Sequence, residues 1–469
     1  MAVFGFVFFL VGFALVGFWS TARADAEERD YLLAGQSVPP MLTALSAAAT
    51  KYSGYMFIGL MGYIYLFGLS AIWLITGFLF GDLLTFSFVH KALRKATEET
   101  GALSFASLLS RWHGGEYHVL RVVIGLLTLL FLATYAGAQL TAGGKAVQAV
   151  FGWPTSSGAL IGAGLILGYC LFGGLRASIW TDAAQSVVMM LAMLLLLGAA
   201  VADAGGVGPF LAALDAAAPG YLDLGAERFG SAGATALFAF GWLFNGIGVT
   251  GQPQVMVRFM ALDRPEHTLR TGIFYFGWST VFLAACLGVG LASRIYIPDQ
   301  AGFDAELALP TLAQLLAPGL AVGVIVGGVF AASLSTTDSQ VLSCAAVLSE
   351  DFKLGRSLRG KQVATLVVTL AALGIAYFAT ASVFTLVIVA WSALACSIGP
   401  LVIVHALGRR PSERIALTMM ATGLVVAFWW RAAGWNESVY EGAPGILSAL
   451  AVYAVMTAAT RAGRRHEED

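Results

Sequence analysis

Apolar residues occupy the chain in long blocks of about 20 residues, which shorter polar stretches separate. A helix rises 1.5 Å per residue, so one block crosses the hydrocarbon core of a bilayer, which is about 30 Å thick. Thirteen blocks predict thirteen membrane-spanning helices, which we number as spans in chain order. They centre near residues 11, 52, 78, 132, 166, 190, 242, 282, 330, 370, 394, 422 and 452. The pattern therefore predicts one all-α membrane domain over residues 1–469.

The first block is followed by Ala22-Arg23-Ala24, which resembles a signal-peptidase cleavage site. A signal peptide carries its positive charge before its apolar stretch, whereas Arg23 and Arg29 follow this one. We therefore interpret the block as a retained first span with its N-terminus outside the cell.

Lysine and arginine are distributed unequally between alternate loops, and loops rich in these residues stay cytoplasmic. The loops after odd-numbered spans, together with the C-terminus, hold 21 of the 26 Lys and Arg residues, and this count includes Arg258 after the seventh span. The opposite loops hold Arg228, Arg294 and Arg431. The distribution predicts a multi-pass protein of the inner (plasma) membrane, with an external N-terminus and a cytoplasmic C-terminus.

Composition excludes several classes of function. Hydrophobic residues make up 58% and charged residues 11% of the chain, which fits no soluble class. With 26 basic and 27 acidic residues there is no basic excess for nucleic acid. The four cysteines lack C-x-x-C spacing, and the chain contains neither H-E-x-x-H nor G-x-S-x-G, so neither a structural zinc site nor a membrane enzyme is indicated.

The second and seventh spans contain residues that disfavour a continuous helix. These are Ala49-Thr-Lys-Tyr-Ser-Gly54 and Gly246-Ile-Gly-Val-Thr-Gly-Gln-Pro253. A break at membrane depth frees backbone polar groups, which is tolerated where they line a cavity or site, and paired broken helices are typical of inverted-repeat transporters. The breaks lie five spans apart and predict repeat units over residues 40–202 and 233–405, with peripheral helices at 2–19, 415–432 and 445–461.

The seventh-span motif also matches G-x-G-x-x-G, but a nucleotide site requires a preceding strand rather than a membrane span. Glycines that allow close helix packing are the alternative explanation for Gly246 and Gly248. That alternative does not explain the Gly251-Gln252-Pro253 break.

Ionisable residues inside spans are costly, at about 2.5–3.5 kcal/mol each at the membrane centre, and therefore indicate function. Lys51, Asp182 and Asp338 stand out, whereas Asp82 and Lys145 lie nearer helix ends and are expected to reach the interface. Asp338 belongs to an oxygen-rich run, Ser333-Leu-Ser-Thr-Thr-Asp-Ser-Gln340. Hard cations such as sodium prefer these ligands. Hydrogen bonding between helices is the alternative for the run, and a helix N-terminal charge is the alternative for Asp182.

Together these residues resemble the sodium:solute symporter family, which includes bacterial proline and sialic acid transporters and the sodium/glucose transporters. The similar segments are Asp30–Gly35, Thr43–Ser46, Gln139–Gly144, Gly173–Arg176, Trp180–Asp182, Gly251–Pro253, Arg258–Met260, Ser335-Thr336 and Glu350-Asp351. The resemblance implies a five-plus-five inverted repeat with an extra first helix. It also implies secondary transport by alternating access in the lipid bilayer, with sodium as a possible coupling ion and no other cofactor.

The resemblance also implies site residues. Sodium would be bound by the carbonyls of Ala49, Tyr52 and Ala332 and by the hydroxyls of Ser335 and Thr336. Asp182 would assist ion coupling and, as in some members, join a second sodium site with ninth-span hydroxyls. Asp338, a further candidate ion-binding residue, stands where a small hydroxyl residue is common. A small polar or carboxylated solute would contact Ser53, Gly54, Tyr135, Gln139, Asn245, Thr250 and Gln252.

Lys51 departs from the family pattern, because the proline transporters have an aspartate at this position. An ammonium beside a sodium ion is repelled by it. Lys51 therefore points away from the ion, replaces it in partnership with Asp182 or Asp338, or binds a substrate carboxylate. The first possibility favours sodium-coupled import, and the second favours a proton-coupled or sodium-independent transporter. A substrate-sensing membrane protein is a further alternative.

Overall fold

The computed structural model describes residues 1–21, 28–298, 302–355, 357–378 and 382–468. The possible cleavage site at Ala22-Arg23-Ala24 and the loop residue Arg356 lie outside these residues. All regular secondary structure in the described part is helical. Its four cysteines are buried and unpaired, as their apolar surroundings predict.

Eleven stretches of the described residues are long and apolar enough to cross a membrane. Two of them, Gly54–Thr100 and Thr155–Asp203, contain 47 and 49 residues. As straight helices they would extend about 70 Å, more than twice the hydrocarbon core. Each must therefore turn within the membrane region and provide parts of two spans. This gives the predicted thirteen crossings and confirms the predicted all-α fold.

The spans have the following bounds. The uninterrupted spans are Ala2–Thr21 (first), Ile72–Thr100 (third), His118–Phe151 (fourth), Thr268–Tyr296 (eighth), Gly319–Ala346 (ninth), Leu358–Phe378 (tenth), Glu413–Ala432 (twelfth) and Gly442–Glu468 (thirteenth). The fifth and sixth share Thr155–Asp203. The interrupted ones are the second, Pro40–Lys51 with Gly54–Phe57 and Gly59–Phe67, the seventh, Ala232–Ile247 with Pro253–Met260, and the eleventh, Val383–Ser397 with Gly399–Ala406. Shorter helices outside the spans are Glu28–Leu33, Phe105–Arg111, Val207–Ala216, Ala226–Phe229 and Ala308–Leu316.

The fifth and sixth spans form a tight hairpin at Gly174, which has a φ of +52° and a ψ of −141°. A side chain at Gly17 of the first span would touch both Tyr169 Cβ, at 2.7 Å, and Thr181 Cγ2, at 3.2 Å. In a straight helix, twelve residues separate two such positions by about 18 Å. The chain therefore reverses direction at this glycine.

Both predicted breaks are present. The second span ends its first half at Lys51, and Ser53 caps the next helix by accepting a hydrogen bond from the Tyr55 amide at 3.2 Å. The seventh span passes through a single turn of 3₁₀-helix at Gly248–Gly251 before Pro253 starts the second half. Gly251 also lets the eleventh span approach closely, because a Cβ there would lie 2.5 Å from the Leu394 carbonyl oxygen. The boundaries of the two repeat units stay a prediction.

Gly174→Ala should destabilise the protein, since the new Cβ would lie 2.4 Å from the Tyr31 carbonyl oxygen at a left-handed backbone position. A residue other than glycine in this sparsely populated positive-φ region costs about 1–3 kcal/mol through the backbone alone. We expect a clearly lower apparent melting temperature in detergent. Gly164→Ala on the same helix is the control, because a Cβ there meets nothing within 4 Å. Equal melting temperatures for the two variants would contradict the hairpin.

Candidate ion and substrate site

Backbone and hydroxyl oxygens converge where the second-span break meets the ninth span. The Ser335 hydroxyl donates to the carbonyls of Ala49, at 3.0 Å, and Ala332, at 3.1 Å. The Thr336 hydroxyl donates to the carbonyls of Thr50, at 2.9 Å, and Ala332, at 3.1 Å. Tyr52 ends the first half-helix directly beside this group. The break therefore frees carbonyls at the point where the ninth span presents hydroxyls, and we call Ala49, Thr50, Ala332, Ser335 and Thr336 the oxygen cluster.

A buried group of charges lies next to the oxygen cluster. The Arg258 guanidinium is 3.1 Å from Asp182 and 3.7 Å from Asp338, and all three side chains are fully buried. Asp182 accepts a hydrogen bond from Ser46 at 2.6 Å, and Asp338 accepts one from Tyr169 at 2.7 Å. The group carries two carboxylates and one guanidinium, which leaves one formal negative charge to be balanced.

Thr50 connects the charged group to the oxygen cluster. Its hydroxyl lies 2.9 Å from the Ser339 hydroxyl, and Arg258 also donates to Ser339. The Thr50 carbonyl meanwhile accepts from Thr336. Thr50 would therefore connect a cation bound at the oxygen cluster to the group of Arg258, Asp182 and Asp338, with its formal negative charge.

The assignment of Arg258 to a cytoplasmic loop is wrong. This arginine lies on the second half of the seventh span, Pro253–Met260, and is 0% exposed. Because the chain between Gln252 and Met260 remains helical, the residue points into the bundle instead of reaching the loop. Its apolar neighbours Val257, Phe259 and Met260 were the sequence signal for a buried position.

Lys51 faces the third span and not the oxygen cluster. Its ammonium lies 2.6 Å from Asp82 and 3.2 Å from the Tyr52 hydroxyl, and 4.2 Å from the centre of the Phe78 ring. The Tyr275 hydroxyl donates to the same Asp82 oxygen at 2.8 Å. Pairing makes the buried ammonium tolerable, since a single buried charge is expensive.

Two expectations about these charges are wrong. The partner of Lys51 is Asp82, not Asp182 or Asp338, because the Lys51 side chain leaves the helix on the side of the third span. Asp82 is fully buried and does not reach the interface. It is the eleventh residue of the third span and lies about 15 Å along the helix from Ile72, far from the start of the helix. Lys145 does reach a loop, where it pairs with Glu306 at 2.6 Å.

A small central cavity separates the broken second span from the third, fourth, seventh and eleventh spans. Its volume is about 20 Å³, which suffices for about one water molecule. It is lined by Lys51, Tyr55, Met56, Leu74, Phe78, Tyr135, Asn245, Val387, Ile388 and Trp391. A solute can enter only when these walls separate.

The expected substrate residues divide into three groups around this cavity. Tyr135 and Asn245 line it. Ser53, Gly54 and Gln139 lie at the break next to the lining residues but do not line the cavity: the Gly54 amide donates to Gln139 at 2.8 Å, and the Ser53 hydroxyl lies 3.3 Å from the Tyr135 hydroxyl. Thr250 and Gln252 form hydrogen bonds inside the protein, to the carbonyls of Ile247 and Trp391, and do not line the cavity.

A wider vestibule of about 820 Å³ opens on the end of the bundle that carries the loops after the sixth and twelfth spans. Ile388 borders both spaces. Between them lies an aromatic layer, in which the Phe384 ring is 5.4 Å from Tyr55 and stacks on Tyr63 at 5.7 Å. The Phe384 amide, at the start of the eleventh span, donates to Glu306 at 2.9 Å.

Sequence reasoning missed Asp82 as a buried partner, Arg258 as a buried charge, and the cavity residues Tyr55, Trp391 and Phe78. The aromatic residues carry no distinctive signal, because single aromatic residues in apolar helices usually serve packing. Only the meeting of different spans gives them a common surface.

Comparison with known proteins identifies a family whose sequences match most of this chain. The model of the Sodium:solute symporter family matches residues 31–423. The high-affinity proline transporter PutP of Bacillus subtilis is 29% identical over 449 residues, which cover 93% of this chain and 93% of the relative. The sodium/proline symporter of Staphylococcus aureus is 30% identical over 490 residues, which cover 99% of this chain and 93% of the relative.

Two solved structures share the fold. A Na⁺-coupled sialic acid symporter in a substrate-bound outward-open state superposes with a TM-score of 0.81 and 17% identity, over 97% of both chains. The nucleobase-cation-symport-1 family transporter MHP1, in a closed conformation with bromovinylhydantoin bound, gives a TM-score of 0.60 and 14% identity, over 90% of this chain and 92% of that one. At these identities the similarity concerns the fold.

Asp82→Asn should destabilise the protein strongly, because it leaves the Lys51 ammonium buried without its carboxylate. Breaking a buried pair in this way costs about 3–5 kcal/mol. The double variant Lys51→Met, Asp82→Asn removes both charges and should regain most of the loss in apparent melting temperature. If the double variant melts no higher than the single variant, the two side chains do not act as a pair.

Proposed function

The chain belongs to the sodium:solute symporter family, and from that membership we propose that it is a sodium-coupled symporter that imports a small polar or carboxylated solute. The family and the curated relatives are secondary transporters and not enzymes. The chain is accordingly a multi-pass solute transporter. Its coupling ion, its orientation in the plasma membrane and the roles of individual residues are the proposal.

The oxygen cluster is the observation that supports sodium coupling. The Ser335 hydroxyl lies 3.0 Å from the Ala49 carbonyl oxygen and 3.1 Å from that of Ala332, and the Thr336 hydroxyl lies 3.1 Å from the same Ala332 oxygen. A hydroxyl that donates to a carbonyl can rotate and offer a lone pair to a cation instead. The donor set therefore suits a hard monovalent cation, which would take these oxygens as ligands.

The charges around the oxygen cluster also favour a cation. The adjacent group of Asp182, Asp338 and Arg258 has an excess of one negative charge. Lys51 is turned toward Asp82, so its ammonium is paired with a carboxylate and does not point to the oxygen cluster. Of the possibilities for Lys51, this geometry supports the one in which the side chain points away and sodium coupling is retained.

Alternating access fits the two spaces. The distribution of Lys and Arg supports an external N-terminus, which places the vestibule outside and the loops near Arg121 and Asp351 inside. At that inner end Arg121 pairs with Asp351 at 2.7 Å. The aromatic layer separates the central cavity from the vestibule, as transport by alternating access requires at one stage.

A proton-coupled or sodium-independent transporter is the second candidate, and the Lys51–Asp82 pair beside the cavity favours it. A buried acid and base in contact can exchange a proton when their surroundings change.

Uptake into proteoliposomes with a sodium gradient, a proton gradient or choline alone separates the candidates. We expect uptake of the transported solute to require sodium; equal uptake in choline would contradict sodium coupling.

Ser335→Ala with Thr336→Ala should abolish most sodium binding. A hydrogen bond or contact to a charged group contributes about 1.5–3 kcal/mol, so losing two ligands should weaken sodium affinity at least tenfold. Thermal stability measured in NaCl against choline chloride reports this without a known solute, because a bound ion raises the melting temperature.

Ser343→Ala is the matched control for this change. It removes a buried ninth-span hydroxyl that donates to the Ser339 carbonyl at 2.8 Å and lies outside the oxygen cluster. The control should keep the sodium-specific rise in melting temperature. If the double variant shows the same sodium-specific rise in melting temperature as the wild type, the oxygen cluster is not the ion site.

A further inference from the structure

We propose that the solute is an organic carboxylate without an ammonium group, and that its carboxylate binds the Lys51 ammonium. This inference rests on the proposed transport function and names the substrate class of the central cavity. It concerns a residue at which this chain departs from the proline transporters that it resembles.

The lining of the central cavity has one charged member. Lys51 is the charged side chain among the ten lining residues, and Asp82 lies behind it, away from the cavity. Much of the remaining wall is apolar, formed by Met56, Leu74, Phe78, Val387 and Ile388. This combination fits an anionic head group on a small apolar body.

The Lys51 ammonium has a donor available for such a ligand. An ammonium carries three N–H donors. Two are directed to Asp82, at 2.6 Å, and to the Tyr52 hydroxyl, at 3.2 Å, and the nitrogen lies 4.2 Å from the centre of the Phe78 ring. Lys51 and Phe78 both line the cavity, so a solute that separates these walls can reach the remaining donor.

Tyr55 supplies a second unpartnered polar group at the cavity. Its hydroxyl is buried and has no hydrogen-bond partner among the described residues, and the residue lines the same space. A buried polar group without a partner is costly, and one at a binding site is satisfied when the ligand arrives. A phenol can donate to a carboxylate oxygen, which adds to the contact with Lys51.

An amino acid fits this surface less well. Its ammonium would have to enter a small space that already contains the positive charge of Lys51 and presents no carboxylate in its lining. Like charges at short distance in a dry site repel strongly. The site therefore discriminates against an added ammonium by repulsion as well as by lacking an anionic partner.

Asp82 acts as a positioning residue for this contact. Its Oδ2 atom accepts hydrogen bonds from both Lys51 and Tyr275, which fixes the ammonium at the cavity edge. Its pairing with Lys51 keeps the lysine charged inside the membrane, and this charge is what the solute carboxylate recognises.

The first test measures melting temperature in NaCl with matched probes. Propionate, butyrate and 3-methylbutyrate are each compared with the primary amide and the 2-amino acid of the same carbon skeleton, together with proline. We expect at least one carboxylate to raise the melting temperature, while its amide and its amino acid do not. The proposal is overturned if no carboxylate does so, or if proline or the matched amino acids stabilise as strongly.

The second test uses the charge-free double variant Lys51→Met, Asp82→Asn. It should bind the stabilising carboxylate at least tenfold more weakly than the wild type, since the ammonium contact is lost. Ser343→Ala is the control, because it removes a buried ninth-span hydroxyl that donates to the Ser339 carbonyl and does not line the cavity. Unchanged carboxylate affinity in the double variant would overturn the proposal.

Sodium separates failure of this inference from failure of the proposed function. The double variant retains the oxygen cluster, so its sodium-specific rise in melting temperature should persist and also shows that the variant is folded. Carboxylate binding that is equal in sodium and choline would contradict sodium coupling while supporting the role of Lys51. A sodium effect with no preference for carboxylates would contradict the role of Lys51 alone.

Discussion

A charge in the middle of a membrane protein needs a partner, and in this bundle the partners come from different spans. Lys51 of the second span pairs with Asp82 of the third. Arg258 of the seventh span contacts Asp182 of the sixth and Asp338 of the ninth. Because water is absent there to solvate a separated charge, each pair fixes the distance between two helices. These contacts join the broken helices to the unbroken ones around them.

The two breaks depend on the same constraint. The carbonyls of Ala49 and Thr50 near the second-span break accept hydroxyl donors from Ser335 and Thr336, which keeps polar backbone atoms partnered at membrane depth. The seventh break is accommodated by glycines that let the eleventh span approach closely. Oxygen ligands therefore lie close together at the second-span break, whereas the backbones of two spans pack closely at the seventh-span break. The difference explains why the hydroxyls of the expected ion site cluster at the second span.

The number of spans and the location of both breaks could be predicted from the sequence, because length, hydropathy, glycine and proline act locally. The ninth-span run from Ser335 to Asp338 was recognisable for the same reason. Partners across the bundle could not be predicted, since periodicity does not say which helices meet. The prediction that Lys51 is a buried charge is confirmed, but its partner is Asp82, whose position in the sequence does not distinguish a buried residue from one near a helix end. Arg258 was counted with a loop because the half-helix after Pro253 is only eight residues long.

The aromatic layer over the cavity has a kinetic consequence. The Phe384 ring contacts the rings of Tyr55 and Tyr63. Its backbone amide donates to Glu306, which also pairs with Lys145 of the fourth span. An opening at this layer that separates the eleventh span from the second is a movement of whole helices and not the rotation of one side chain. Exposed side chains rotate within nanoseconds, whereas helices shift collectively in microseconds to milliseconds. Opening by such a helix movement is therefore slow compared with the rotation of a side chain.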